Sequence, residues 1–300
     1  MTIISEVRRK FRQGNIVTRL IYINTGLFLV LSLVNALLLL IGVSDNSLWI
    51  EKCYLPWNTV TLGTQPWSVI SYMFTHSSWW HLLLNMFFLY WFGKIFLISF
   101  TSNQLKSLYL LGGVVGALIY LAAFNFIPYF GRHDYPATLT GASASILAIA
   151  VAVTFRSPGF VSKLPFIGEV KIKYIVMALV VFDFTMISSD NAGGDFAHLG
   201  GALTGWLFVK ALSSGKDITS WITKLFVLLS KLFTKVGGIS VRRKPVIKAY
   251  YGDKTKDFEY NLKKKERSGE IDRILEKIRQ SGYDSLSEQE KKKLLEASDR

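Results

Sequence analysis

The sequence predicts an all-α, polytopic membrane protein: a bundle of six transmembrane helices followed by a small cytosolic helical module. Three observations carry this. Several apolar runs reach 18 residues or more, enough to cross a hydrocarbon core about 30 Å thick at about 1.5 Å per residue. Mean hydropathy is positive, at +0.31, with 21 Phe, 13 Tyr and 8 Trp, more apolar matter than a soluble core of this length needs. The 35 Lys and Arg, against 21 Asp and Glu, gather at the two ends and in short loops between apolar runs. That pattern marks orientation in a membrane and argues against a nucleic-acid partner.

Taken in order, residues 1–19 form a basic segment with Arg8, Arg9, Lys10 and Arg12. Residues 20–212 hold the six spans. The first apolar run, from about Leu20 to Val43, is too long for a signal-peptide core and reads as a retained anchor. Asp45 to Trp67 is a mixed loop with Trp49, Trp57 and Trp67; an interfacial segment and an ordinary external loop fit it equally. The second span, about Trp79 to Leu97, carries His81 and Asn85. The third, about Leu108 to Phe126, contains Gly112, Gly113 and Gly116, which permit close helix contact. The fourth runs from about Gly141 to Phe155, after poor helix formers at Pro136 to Gly141. The fifth covers about Tyr174 to Ile187 with Asp183 inside it, and the sixth about Phe196 to Leu212.

Six spans put both termini on one side. The N-terminal cations, Lys94, Lys106, Arg156, Lys163, Lys171 and Lys173 share one face, against Lys52 and Arg132 on the other. The termini are therefore expected in the cytosol. Residues 213–256 are a basic amphipathic helix, Trp221 to Val236, suited to an anionic leaflet, followed by a linker. Residues 257–300 form the module: one short helix with Ile271, Ile274, Leu275 and Ile278, then Gly282, then a second beginning after Ser285 with Leu294 and Leu295. A contact with a cytosolic protein is its expected role. Cys53, the single cysteine, allows no intramolecular disulfide.

The chemistry concentrates at Gly141-Ala142-Ser143-Ala144-Ser145 and Ala197-His198-Leu199-Gly200-Gly201. A serine hydroxyl needs a base in reach, and a neutral imidazole serves. A depth comparison supports pairing Ser143 with His198. His81, Ser143 and His198 precede the boundary cations Lys94, Arg156 and Lys210 by 13, 13 and 12 residues, which puts all three roughly 18 to 20 Å from the cytosolic side. Histidines at such depth are functional by default. Asn85 lies four residues after His81 on the same helix face, and its amide, with backbone N–H groups at the start of the fourth helix, can receive an oxyanion. No acidic residue is evident beside His198, so the expectation is a dyad, not a triad. Asp183 reads as a structural acceptor or a cavity-lining group, with structure favoured. Ser145 is explained by packing alone, and His76 and His133 take no catalytic role. Without His-Glu-x-x-His or a cysteine cluster, no metal is expected, and no cofactor.

Together the residues resemble the rhomboid family of intramembrane serine proteases. The match consists of His81-Leu82-Leu83-Leu84-Asn85 on the second span, Gly141-Ala142-Ser143-Ala144 at the fourth, and Ala197-His198-Leu199-Gly200-Gly201 with Gly205 in the sixth. It covers about residues 15 to 212. The resemblance implies Ser143 as nucleophile, His198 as base, and His81 with Asn85 as the oxyanion-binding pair. It also implies transmembrane protein substrates and a fifth helix, here with Phe182 and Phe184, that moves for their entry. One position departs from the family's pattern: Gly is usual after the serine, and Ala144 stands here, with a methyl expected to press on the sixth helix. The tail resembles modules attached to some bacterial rhomboids. Two other readings stay open. One is a catalytically silent rhomboid-like protein that binds membrane clients; the other is a transporter using Asp183 and the histidines, which internal repeats would favour.

Overall fold

The computed structural model describes residues 3–43, 50–131, 138–164, 168–185, 192–237, 273–291 and 294. They belong to two units, Met1–Gly237 and Gly238–Arg300. The first runs α1 (Ile3–Gln13), α2 (Ile16–Leu40), β1 (Leu55–Pro56), α3 (Thr59–Thr64), α4 (Ser68–Ser71), α5 (Trp79–Ser99), α6 (Ser102–Phe126), α7 (Pro128–Gly131), β2 (Thr138–Leu139), α8 (Ser143–Arg156), β3 (Val161–Leu164), β4 (Gly168–Lys171), α9 (Ile172–Thr185), α10 (Ala192–Ser213) and α11 (Ser220–Gly237).

A helix stands at each of the six expected runs: α2, α5, α6, α8, α9 and α10. Among the described residues, α2, α5 and α6 are long and apolar enough to cross a membrane. The third starts earlier than expected, at Ser102 instead of Leu108. Thr101 caps it, its hydroxyl accepting from Gln104 N–H while the Gln104 side chain accepts from Thr101 N–H. A capped polar first turn is invisible to a hydropathy window.

The architecture is mostly helical, as expected, with two short strand pairings added. Two small antiparallel sheets are present: β1 with β2, where Leu55 pairs Leu139 and Pro56 pairs Thr138, and β3 with β4, where Val161 to Leu164 pair Lys171 to Gly168. The stretch ahead of Ser143, expected to be irregular, thus satisfies part of its backbone by strand pairing. Arg132, His133, Pro136, Ile187, the linker from 238 to 256, Ile271 and Leu295 lie outside the described residues.

Helix α8 is the centre of the first unit, packed by α5, α6, α9 and α10. Every residue from Ala144 to Val153 is buried, and an enclosed helix is expected to be apolar all round. The tightest contact is with α10. A Cβ at Gly201 or Gly205 would overlap the carbonyl oxygens of Ala144 and Ala148, so a four-residue repeat on one helix lays bare backbone over successive turns of the other. Outside this centre, α2 buries Val17, Leu20, Asn24 and Phe28 as one face and exposes Leu33, Leu37, Leu39 and Leu40. Apolar side chains left facing outward are what a lipid solvent permits.

Helix α11 packs Ile222 inward, and its Thr223 hydroxyl lies 3.1 Å from that of Ser107 on α6. Trp221, Leu225 and Leu228 remain exposed, in keeping with the expected amphipathic character. In the second unit, residues 273–281 are helical and a 3-10 turn follows at Tyr283–Ser285. The next helix is capped by Ser287, two residues beyond the expected start. Ser287 Oγ accepts from Glu290 N–H, and Glu290 Oε2 accepts from Ser287 N–H at 2.8 Å, a reciprocal box. Lys277 Nζ also donates to both Glu290 oxygens, at 3.0 and 2.9 Å. Lys277, with Ser287, holds the Glu290 carboxyl down at about 2. Ile274 and Leu286 are buried in this unit.

Candidate functional site

The site forms where α5, α8, α9 and α10 meet. Ser143 opens α8 as its first residue. The chain enters through Gly141, whose φ is +114°, a backbone region that L side chains rarely adopt. A Cβ there would also lie 2.5 Å from His81 Nε2, so glycine is required twice over. Hydrogen bonds fix the entry: Gly141 N–H donates to Tyr72 O at 2.9 Å, and the Thr140 hydroxyl donates to Thr75 O at 2.8 Å. The 3-10 turn Tyr72–Phe74 that receives it is itself tied down, by Tyr72 OH to Gly113 O at 2.6 Å and Tyr109 OH to Met73 O at 2.8 Å. No side chain caps α8 at Ala142. Its first-turn N–H groups therefore have no partner within the helix or from a cap.

Ser143 Oγ and His198 Nε2 are 2.6 Å apart, the geometry expected of a nucleophile and its base. His198 sits in the second turn of α10, held in place by the close α8–α10 packing. His81 follows the N-cap of α5, where Ser78 Oγ accepts from His81 N–H at 3.2 Å, and its Nδ1 lies 3.1 Å from Ser77 Oγ. Asn85, one turn later, donates its amide to His81 O at 2.9 Å. Ser143, His198, His81 and Asn85 line one cavity of about 540 Å³, together with Tyr54 and Ser77. The three residues expected to share a depth, His81, Ser143 and His198, are brought together, with Asn85 beside them. A smaller cavity of about 120 Å³, more apolar, continues past Ser143 between Phe88, Ile146 and Leu179.

Two expectations change. First, an acidic residue does stand beside His198: Asp183 Oδ1 lies 2.9 Å from His198 Nδ1, with the two side chains 13% and 19% exposed. The reading of Asp183 as structural missed a depth signal. It lies ten residues beyond Lys173, about 15 Å up the fifth helix by the same rise that levelled the histidines. It also falls on the helix stripe of Ile172, Val176 and Leu179. Second, the Ala144 methyl does not press on the sixth helix. It faces α6, where a Cβ at Gly116 would come within 2.9 Å of it, while the Ala144 carbonyl faces Gly201. The bare Gly116 makes the room. His76, given no catalytic role, packs edge-on against His81 at 5.1 Å between ring centroids.

Ser145 is fully buried and its hydroxyl faces Gly113, as packing alone requires. Asp183, Asp195 and His198 each bring one ligand atom within 4.8 Å of the others. A cation there would have to break the His198–Asp183 hydrogen bond.

Comparison with known families places this geometry. Residues 63–215 match the family model described as Rhomboid domain. Residues 254–300 match a family of unknown function, DUF6576. Among curated proteins none matches the chain. The family match spans half of the sequence and contains Ser143, His198, His81, Asn85 and Asp183, and with three helices suited to crossing a bilayer it makes this a membrane protein of the Rhomboid family.

Proposed function

We propose that the chain is an intramembrane serine endopeptidase that hydrolyses peptide bonds in or near transmembrane segments of membrane-protein substrates. The observation that carries this is the 2.6 Å approach of Ser143 Oγ to His198 Nε2, made from two helices into a shared cavity. Ser143 Oγ attacks the scissile carbonyl carbon while His198 Nε2 takes the hydroxyl proton. The oxyanion is received by the Asn85 amide, the His81 ring and the free N–H groups opening α8. His198 then returns the proton to the leaving amine as the C–N bond breaks. Water, deprotonated by His198, hydrolyses the acyl ester and frees Ser143. No cofactor enters this balance.

In this reading α2, α5, α6, α8, α9 and α10 all cross the bacterial inner membrane, with both termini in the cytosol. Helix α8 spans although it is short, because the non-helical backbone ahead of it, at Thr138 to Thr140, lines a water-filled cavity. Helix α11 lies on the anionic leaflet, and the C-terminal module binds a cytosolic protein.

The test uses purified protein reconstituted with a single-span substrate. Ser143→Ala abolishes cleavage, and labelling by a fluorophosphonate probe disappears with it; Ser145→Ala keeps both. Undiminished cleavage by Ser143→Ala would sink the assignment. Deleting residues 257–300 leaves cleavage of such a substrate largely intact, and complete loss on that deletion would refute an accessory role for the module.

A further inference from the structure

We infer that Asp183 is a positioning residue for this hydrolysis, its carboxylate holding His198 in the tautomer and ring orientation that let Nε2 take the Ser143 proton. The inference rests on the protease reading. A carboxylate can only accept a hydrogen bond, so the 2.9 Å contact at Nδ1 requires the proton of the neutral imidazole to sit there. The lone pair is then left at Nε2, facing Ser143 Oγ. In the other tautomer two lone pairs would face each other across that contact, and Nε2–H would point at the nucleophile it must deprotonate. As His198 becomes an imidazolium, the same carboxylate lies against the new charge, with both side chains largely buried.

The setting of Asp183 favours this over a packing role. On α9 the buried residues are Ile172, Val176 and Asp183, with Leu179 lining the smaller cavity, so the carboxylate ends an otherwise apolar stripe. Helix packing there needs volume, not charge. Asp195, three residues before His198 on α10, is the other carboxylate nearby. It is buried, and its Oδ2 has no hydrogen-bond partner among the described residues. The bond to Nδ1 is made by Asp183. Since Asp183 and Leu179, which line the smaller cavity, both belong to α9, displacing that helix would remove the carboxylate from the base.

The experiment compares Asp183→Asn, Asp183→Glu, Asp195→Asn and Ser143→Ala with wild type in bilayers, reading kcat, KM and melting temperature. Asp183→Asn is expected to lower kcat about 10²- to 10⁴-fold, with KM and melting temperature unchanged. Asp183→Glu, which keeps the carboxylate, is expected to recover at least about tenfold of that loss. Wild-type kcat in Asp183→Asn, a loss confined to KM, or a loss found only in Asp195→Asn overturns the inference. So does a Glu variant no better than the Asn variant, which keeps the test decisive where the Asn variant folds poorly. Cleavage surviving in Ser143→Ala would instead remove the protease reading itself, whatever Asp183 does.

Discussion

Replacing His198 with alanine is expected to lower kcat by about 10³-fold or more, with substrate binding preserved. Without the imidazole, Ser143 Oγ loses the acceptor that stands 2.6 Å away, and the leaving amine loses its proton donor. Both half-reactions fail at one residue, which is why the effect should match that of removing the nucleophile and not add to it. Fluorophosphonate labelling of Ser143 should fall in parallel, because the probe reports the activated hydroxyl. The measurement is kcat in bilayers alongside the labelling rate. A variant that labels at the wild-type rate would mean that another base serves Ser143.

The second large effect concerns packing. Gly201→Val is expected to cost about 3 kcal/mol in stability, read as a lowered melting temperature in detergent and a loss of folded yield. The cost should sit at the upper end of overpacking because the obstacle is the Ala144 carbonyl, backbone of the same turn that carries Ser143, and backbone cannot swing aside as a side chain would. Gly26→Val on α2 is the control, since nothing lies within 4 Å of a Cβ added there. Equal melting temperatures for the two variants would show that α8 and α10 do not depend on this contact.

The Ala144 result follows from the same packing. Reading along the chain, a methyl next to the nucleophile threatened the nearest known partner, the sixth helix. In three dimensions successive residues of α8 point about 100° apart, so Ser143 looks to α10 while the Ala144 methyl and the Ser145 hydroxyl meet α6, at Gly116 and Gly113. Which helix pays for a methyl is a property of the crossing, and Gly116 absorbs it.

Much of the molecule was legible from residue order. The six helices follow from apolar runs, because a long apolar stretch can satisfy its backbone hydrogen bonds within itself only as a helix. Ser143, His198, His81 and Asn85 follow from polar residues that have no cheap place in those runs, and a common depth could be counted from flanking cations. What counting could not supply was azimuth. The rise per residue fixes how far along its axis a side chain sits, while the direction it points is set by how the helices rotate and cross, so Asp183 could be levelled with His198 but not joined to it. Likewise the strands β1 and β2 pair segments more than 80 residues apart, a contact that no local pattern encodes. Depth belongs to one helix at a time and is written in the sequence; the hydrogen bond from His198 to Asp183 belongs to two helices at once, and only their packing decides it.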